Sequence, residues 1–90
     1  MVFHGTIIRV LPLLEGLSQQ GTKWAKQSFC AVDGNRFPNE MLFDLFNEKI
    51  PETELAVGQH VDVHYSVRTR EYNGRVYNEI NVWKIDILNS

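Results

Sequence analysis

Residues 60–88 read HVDVHYSVRTREYNGRVYNEINVWKIDIL, and much of the architecture follows from how they fold. Asn73-Gly74 is the strongest short-range signal for a tight hairpin, because Asn and Gly both tolerate the positive φ of a type I′ turn. Before it, HVDVHYSVR alternates. Val61, Val63, Tyr65 and Val67 are predicted inside, and Asp62, His64, Ser66 and Arg68 outside. After it, VYNEINVWKIDIL is a second apolar, β-branched strand. The connection TREYNGR carries Arg70, Tyr72 and Arg75, flanked by Arg68 and Tyr77. A bare turn does not require that much charge and aromatic surface.

Three strands are predicted ahead of this hairpin. Phe3 to Leu14 is long and apolar, and its inward positions shift phase between Ile7-Ile8 and Val10-Leu11, as in a bulged strand. LEGLSQQGT, residues 14–22, reads as a polar, glycine-bounded loop. KWAKQSFCAV is the second strand, and alternation alone leaves open whether Phe29 and Ala31 or Cys30 and Val32 face the core. EMLFDLF is the third, with Met41, Phe43 and Leu45 on one face and Leu42, Asp44 and Phe46 on the other. NEKIPETELAVG breaks the alternation and predicts a short helix or helical turn within residues 47–57, with Leu55 packed inward. No internal repeat, linker or low-complexity tract interrupts the pattern.

Five strands, with the one irregular segment between the third and fourth, predict an all-β, five-stranded Greek-key barrel of the OB type. An SH3-like barrel is the competitor. It places its helical turn before the last strand, where this sequence has the Asn-Gly hairpin.

Composition limits the functions available. The chain has 90 residues, 43% hydrophobic and 22% charged, which suits one globular domain spanning residues 1–90. A domain of this size buries a modest core. Cys30 is the one cysteine, so an intrachain disulfide and four-cysteine zinc sites are excluded. Cytoplasmic residence is the expectation that fits. MVFHGTIIRVLPLLEG lacks a basic leader and is broken by Arg9 and Pro12, so it does not read as a signal peptide. No apolar run approaches the length of a membrane helix.

The net charge of −2 is unevenly spread. Residues 1–36 carry +2, residues 37–66 carry −5 and residues 67–90 carry +1. Basic residues gather at Lys23 and Lys26 and in the Asn-Gly hairpin. In an OB barrel the face of strands 2 and 3, with the 1–2 and 4–5 loops, forms the groove that binds oligonucleotides or oligosaccharides. Both basic clusters would border that groove.

The candidate site is therefore Lys23, Trp24, Lys26, Phe46, Arg68, Arg70, Tyr72 and Arg75. Lysines and arginines would track phosphates, while Trp24, Tyr72 and Phe46 stack bases. Each has a plainer alternative. Trp24 could pack under the 1–2 loop, Phe46 against the irregular segment, Tyr72 over its own hairpin, and the arginines against Glu71 and Glu79. Trp83 reads as structural, and Phe29, Phe43 and Tyr65 as core.

GTIIRVLP, WAKQSF and SVRTREYNGRVYNEINVWKI, together with the length, resemble a small OB-fold family of bacterial, Bacteroidetes-type domains of unknown function. The resemblance covers nearly the whole chain. It implies the OB fold and a similarity to single-stranded DNA-binding proteins, and it carries no residue roles.

No nucleophile elbow, phosphate-binding glycine loop or zinc-ligand spacing occurs, so neither an enzyme nor a cofactor is expected. His60 and His64 are four apart, which on a strand separates them by about 13 Å, too far to share one ion. The leading expectation is a module binding single-stranded DNA or RNA with little sequence preference. The alternative is an OB-type protein-interaction domain, contacting a partner or a second copy through the same hairpin and its strand edges. Saccharide binding in the same groove is a third reading.

Overall fold

The computed structural model describes residues 1–88. They form six strands: β1 (Val2–Val10), β2 (Leu14–Leu17), β3 (Lys23–Val32), β4 (Glu40–Phe46), β5 (His60–Tyr72) and β6 (Arg75–Leu88). Every pairing is antiparallel. The chain is all-β, with one 3-10 turn at Asn47–Lys49 and no helix long and apolar enough to cross a membrane among the described residues.

The extra strand arises at Pro12. Proline offers no N–H to a ladder, so the long first strand stops at Val10 and pairing resumes at Leu14. Half of the predicted loop 14–22 is thus strand β2, paired through Leu14–Leu17 with Lys23–Lys26. The polar reading of this segment missed it because β2 is short and largely exposed, held by its backbone. The turn proper is Ser18–Thr22, closed by Ser18 N–H to Thr22 O at 2.9 Å.

The phase shift in β1 is a bulge. Ile7 lies opposite Ala31 but Arg9 lies opposite Cys30, leaving Ile8 unpaired and exposed while Ile7 is fully buried. β3 is the hub. Lys26 is flanked by Leu14 and Phe46, and Phe29 by Val10 and Phe43. β1 and β2 therefore share one edge of β3, and β4 takes the other. The row runs β4, β3, β1 with β2, β5, β6.

Alternation places Phe29, Ala31, Phe43, Leu45, Val61 and Val63 on the inner face, all fully buried. This resolves the open choice in β3 in favour of Phe29 and Ala31. Phe43 is the centre of the core, with ring centroids 5.4 Å from Phe3, 5.5 Å from Phe29 and 5.6 Å from Tyr65. Leu55 packs inward from the segment before β5.

Two features depart from the predicted five-stranded barrel. First, the sheet is open: among the described residues no ladder joins β4 to β6. A cleft of about 280 Å³ lies between them, lined by Leu42, Asp44 and Phe46 and by Asn78–Asn81. Second, residues 47–57 hold only the single 3-10 turn. Ile50 precedes Pro51 and is pushed into extended backbone, φ −70° and ψ 121°, which ends the turn.

The β5–β6 hairpin runs beyond the body. Residues 66–78 are exposed on both faces. Val67 keeps its predicted parity, opposite Ile80, yet is 44% exposed because no body lies beneath it. The Cα radius of gyration is 14.3 Å, against about 12 Å for a compact domain of this length. The arm accounts for such an excess.

Candidate nucleic-acid interface

With Met41, Phe43 and Leu45 turned inward, Leu42, Asp44 and Phe46 face out. The register sets Lys26 beside Phe46, Ser28 beside Asp44 and Cys30 beside Leu42. The Lys26 ammonium stands 5.8 Å from the Phe46 ring centroid and 3.9 Å from the Asp44 carboxylate. The buried Ser28 hydroxyl donates to the same carboxylate. Where β3 and β4 pair, this outer strip thus offers one aromatic ring and one cation, the latter held by an acid.

The arm presents a second strip. Its turn contains only Asn73 and Gly74, at φ 52° and 76°. The predicted loop 69–75 is therefore mostly strand, and Arg70, Tyr72 and Arg75 are strand residues with fixed faces. Arg68 pairs in register with Glu79, Arg70 with Tyr77 and Tyr72 with Arg75. Those six share one side. The opposite side carries Val67 with Ile80, Thr69 with Asn78 and Glu71 with Val76. Ile80 packs on the core, so the arginine–tyrosine side is the outer one. Arg70 reaches Glu79 at 3.7 Å, and Tyr72 is 64% exposed.

The two strips meet at the β4–β6 cleft. Asp44 and Phe46 line it from the floor, Glu79 and its neighbours from the arm. Both acids at this junction hold cations of the candidate set, Lys26 and Arg70.

Lys23 and Trp24 lie further along β3, where Trp24 pairs with Gly16 of β2. A neighbouring cleft of about 520 Å³ is lined by Gly16, Leu17, Lys23, Trp24 and Asn47, among others. The eight candidates therefore form three groups: Lys23 with Trp24, Lys26 with Phe46, and Arg68, Arg70, Tyr72 and Arg75 on the arm.

Tyr77, which the sequence offered only as a flank of the hairpin, joins this face, because a two-residue turn places it opposite Arg70. Trp83, expected to be structural, is 53% exposed, with its ring 5.1 Å from that of His64. A register shift pairs His64 with Lys84 but Tyr65 with Val82, turning Trp83 out of the ladder. The inward positions of β6 change from Ile80 and Val82 to Ile85 and Ile87 across this bulge, a phase shift like that of β1 which the reading of the closing strand did not use.

The histidines are separately engaged. His4 Nδ1 pairs with Asp62 at 2.6 Å, His60 Nδ1 with Thr6 Oγ1 at 3.0 Å and His64 Nε2 with Asp86 at 3.2 Å. No group of three or more His, Cys, Asp or Glu side chains is placed to hold a metal among the described residues.

No curated protein matches the chain. A family model described as a domain of unknown function, DUF3127, matches residues 2–86, nearly its full length. The chain belongs to the DUF3127 family.

Proposed function

We propose that this protein is a non-enzymatic module that binds single-stranded nucleic acid, DNA above all, with little sequence preference. The observation that carries this reading is the one-sided arm: three arginines interleaved with Tyr72 and Tyr77 on its outer face, with the Lys26–Phe46 strip across the cleft from its base. Cations spaced among aromatic rings suit a backbone of phosphates with bases on one side. The strand row supports the same reading at the level of fold. If β1 and β2 are taken as one broken strand, the order β4, β3, β1, β5, β6 is that of an OB barrel left unclosed.

Titration with oligo-dT at several salt concentrations tests it. Four phosphate contacts give a slope of log K against log salt near −3, at roughly −0.7 per contact on single strands. Lys26→Glu and Arg70→Glu each weaken binding of all sequences alike, because phosphate contacts carry no base information. Failure to bind oligo-dT at low salt removes the proposal.

The unpaired β4 and β6 edges, on a chain of net charge −2, favour a second reading. A partner protein or a second copy would add a strand to an open edge. Salt-insensitive association, or a dimer in size-exclusion chromatography that leaves oligo-dT unbound, brings that reading forward.

A further inference from the structure

Gly16 sits in the middle of β2, directly across from Trp24, and it is not among the glycines with positive φ. Its backbone conformation therefore does not call for glycine, and glycine inside a strand weakens it. The indole supplies the reason. A Cβ at residue 16 would lie 2.7 Å from Cζ2, 2.8 Å from Cε2 and 2.9 Å from Nε1 of Trp24. The ring lies over the glycine, its Cζ2, Cε2 and Nε1 atoms crowding the place a Cβ would take. It is nonetheless 40% exposed.

Asn47 stands at the same cleft. It is one of two non-glycine residues with positive φ among those described, at 50°. Its Oδ1 accepts the Ala25 N–H at 2.9 Å. That bond fixes which way the amide points and leaves the Nδ2 hydrogens as donors. Lys23 adjoins the ring in sequence and lines the same space. The cleft volume, about 520 Å³, falls within the roughly 300–1,000 Å³ typical of small-ligand clefts.

We infer that this cleft is a seat for a single nucleobase. Trp24 stacks on the base, the Asn47 amide donates to an acceptor on its edge, and Lys23 meets the adjoining phosphate. Gly16 is the positioning residue that lets the ring lie against the strand. The inference rests on the reading of the protein as a single-strand binder. It adds that one nucleotide is held more tightly than its neighbours, at a point separate from the arm.

The test uses the full chain with Trp83→Phe, so that Trp24 is the sole indole. Oligo-dT is expected to quench Trp24 emission. Gly16→Ala in this background is expected to lose the quench and weaken binding by roughly fivefold or more, the low end for one stacked base. Lys26→Glu is expected to weaken binding while keeping the quench at saturation. Because Gly16→Ala could disturb β2, Trp24→Leu, which leaves Gly16 in place, serves as the second variant and is expected to weaken binding likewise. If Trp24→Leu lowers the melting temperature but leaves affinity unchanged, the ring only covers a bare glycine and the seat is refuted. Oligo-dT bound without any quench refutes it too. A Trp83→Phe protein that fails to bind oligo-dT at any salt overturns the functional reading as well as the seat.

Discussion

Asp33 collects more hydrogen bonds than any other side chain described. Its carboxylate accepts from the backbone and side-chain N–H groups of Asn39, at 3.0 and 3.1 Å, and from those of Asn35, at 3.3 and 3.0 Å. The Asn39 backbone bond leads in holding its pKa below the ordinary 3.8, followed by the Asn39 side chain. A depressed folded value means that the contribution is complete above the unfolded pKa and disappears as pH falls through the folded one. The Asp33 carboxyl, followed by carbon NMR, is expected to titrate below 3.8, with the Asn35 and Asn39 amide signals shifting in step. A midpoint at or above that value would show that the bonds do not persist in solution. Phe43 makes the opposite kind of contribution, through burial. Phe43→Ala should cost about 3–5 kcal/mol in urea unfolding, because three neighbouring rings lose their partner. Phe43 was legible in the sequence, since Asp44 marks the Leu42–Phe46 face of EMLFDLF as the outer one and leaves Phe43 on the wholly apolar face. Trp83 was not, because it stands where the inward positions change from Ile80 and Val82 to Ile85 and Ile87, and one of the two phases would have placed it inside.

The arm shows how a readable local signal can leave the extent of an element hidden. Asn73-Gly74 announced a two-residue turn, and the φ values are those of such a turn. Alternation then continued through Val67 as though a core lay beneath it, but side-chain pattern cannot tell how far the rest of the sheet reaches. A two-stranded ribbon is marginal by itself in water, so the arm keeps its shape through the turn and its root in the body. Gly74→Val tests the turn. Nothing lies within 4 Å of the position, so the cost falls on the backbone at φ +76° rather than on packing. Faster amide exchange confined to residues near 66–78, with weaker oligo-dT binding and an unchanged core, is the expected result. Tyr72→Ala separates ligand contact from scaffold. The exposed ring should contribute little to stability, while its loss costs about 1 kcal/mol or more of affinity if a base stacks on it. A marked fall in melting temperature with affinity intact would make the ring structural.

At the scale of the whole molecule, the all-β class and most strand positions were legible, whereas closure was not. Whether β4 and β6 pair depends on curvature accumulated over every strand, including the bulges at Ile8 and Trp83. The outcome is an open seam with an acid on each side, Asp44 and Glu79, each engaging a cation that a phosphate would need. These acids also set the charge balance. A chain of net −2 gains nothing from its overall field when approaching a polyanion, so local cations must carry the attraction. If floor and arm act as one groove, the acids at the seam oppose binding in the resting protein. Asp44→Asn with Glu79→Gln removes both charges. It also keeps an oxygen beside Ser28, so that the buried hydroxyl is not orphaned. The double variant is expected to bind oligo-dT roughly fivefold more tightly at low salt, a gain that shrinks as salt screens the removed repulsion. Each single variant should give part of the gain, because each frees one cation. Unchanged affinity at low salt would mean that the strand does not cross the seam, and that the arm and the Lys26–Phe46 strip act as separate surfaces.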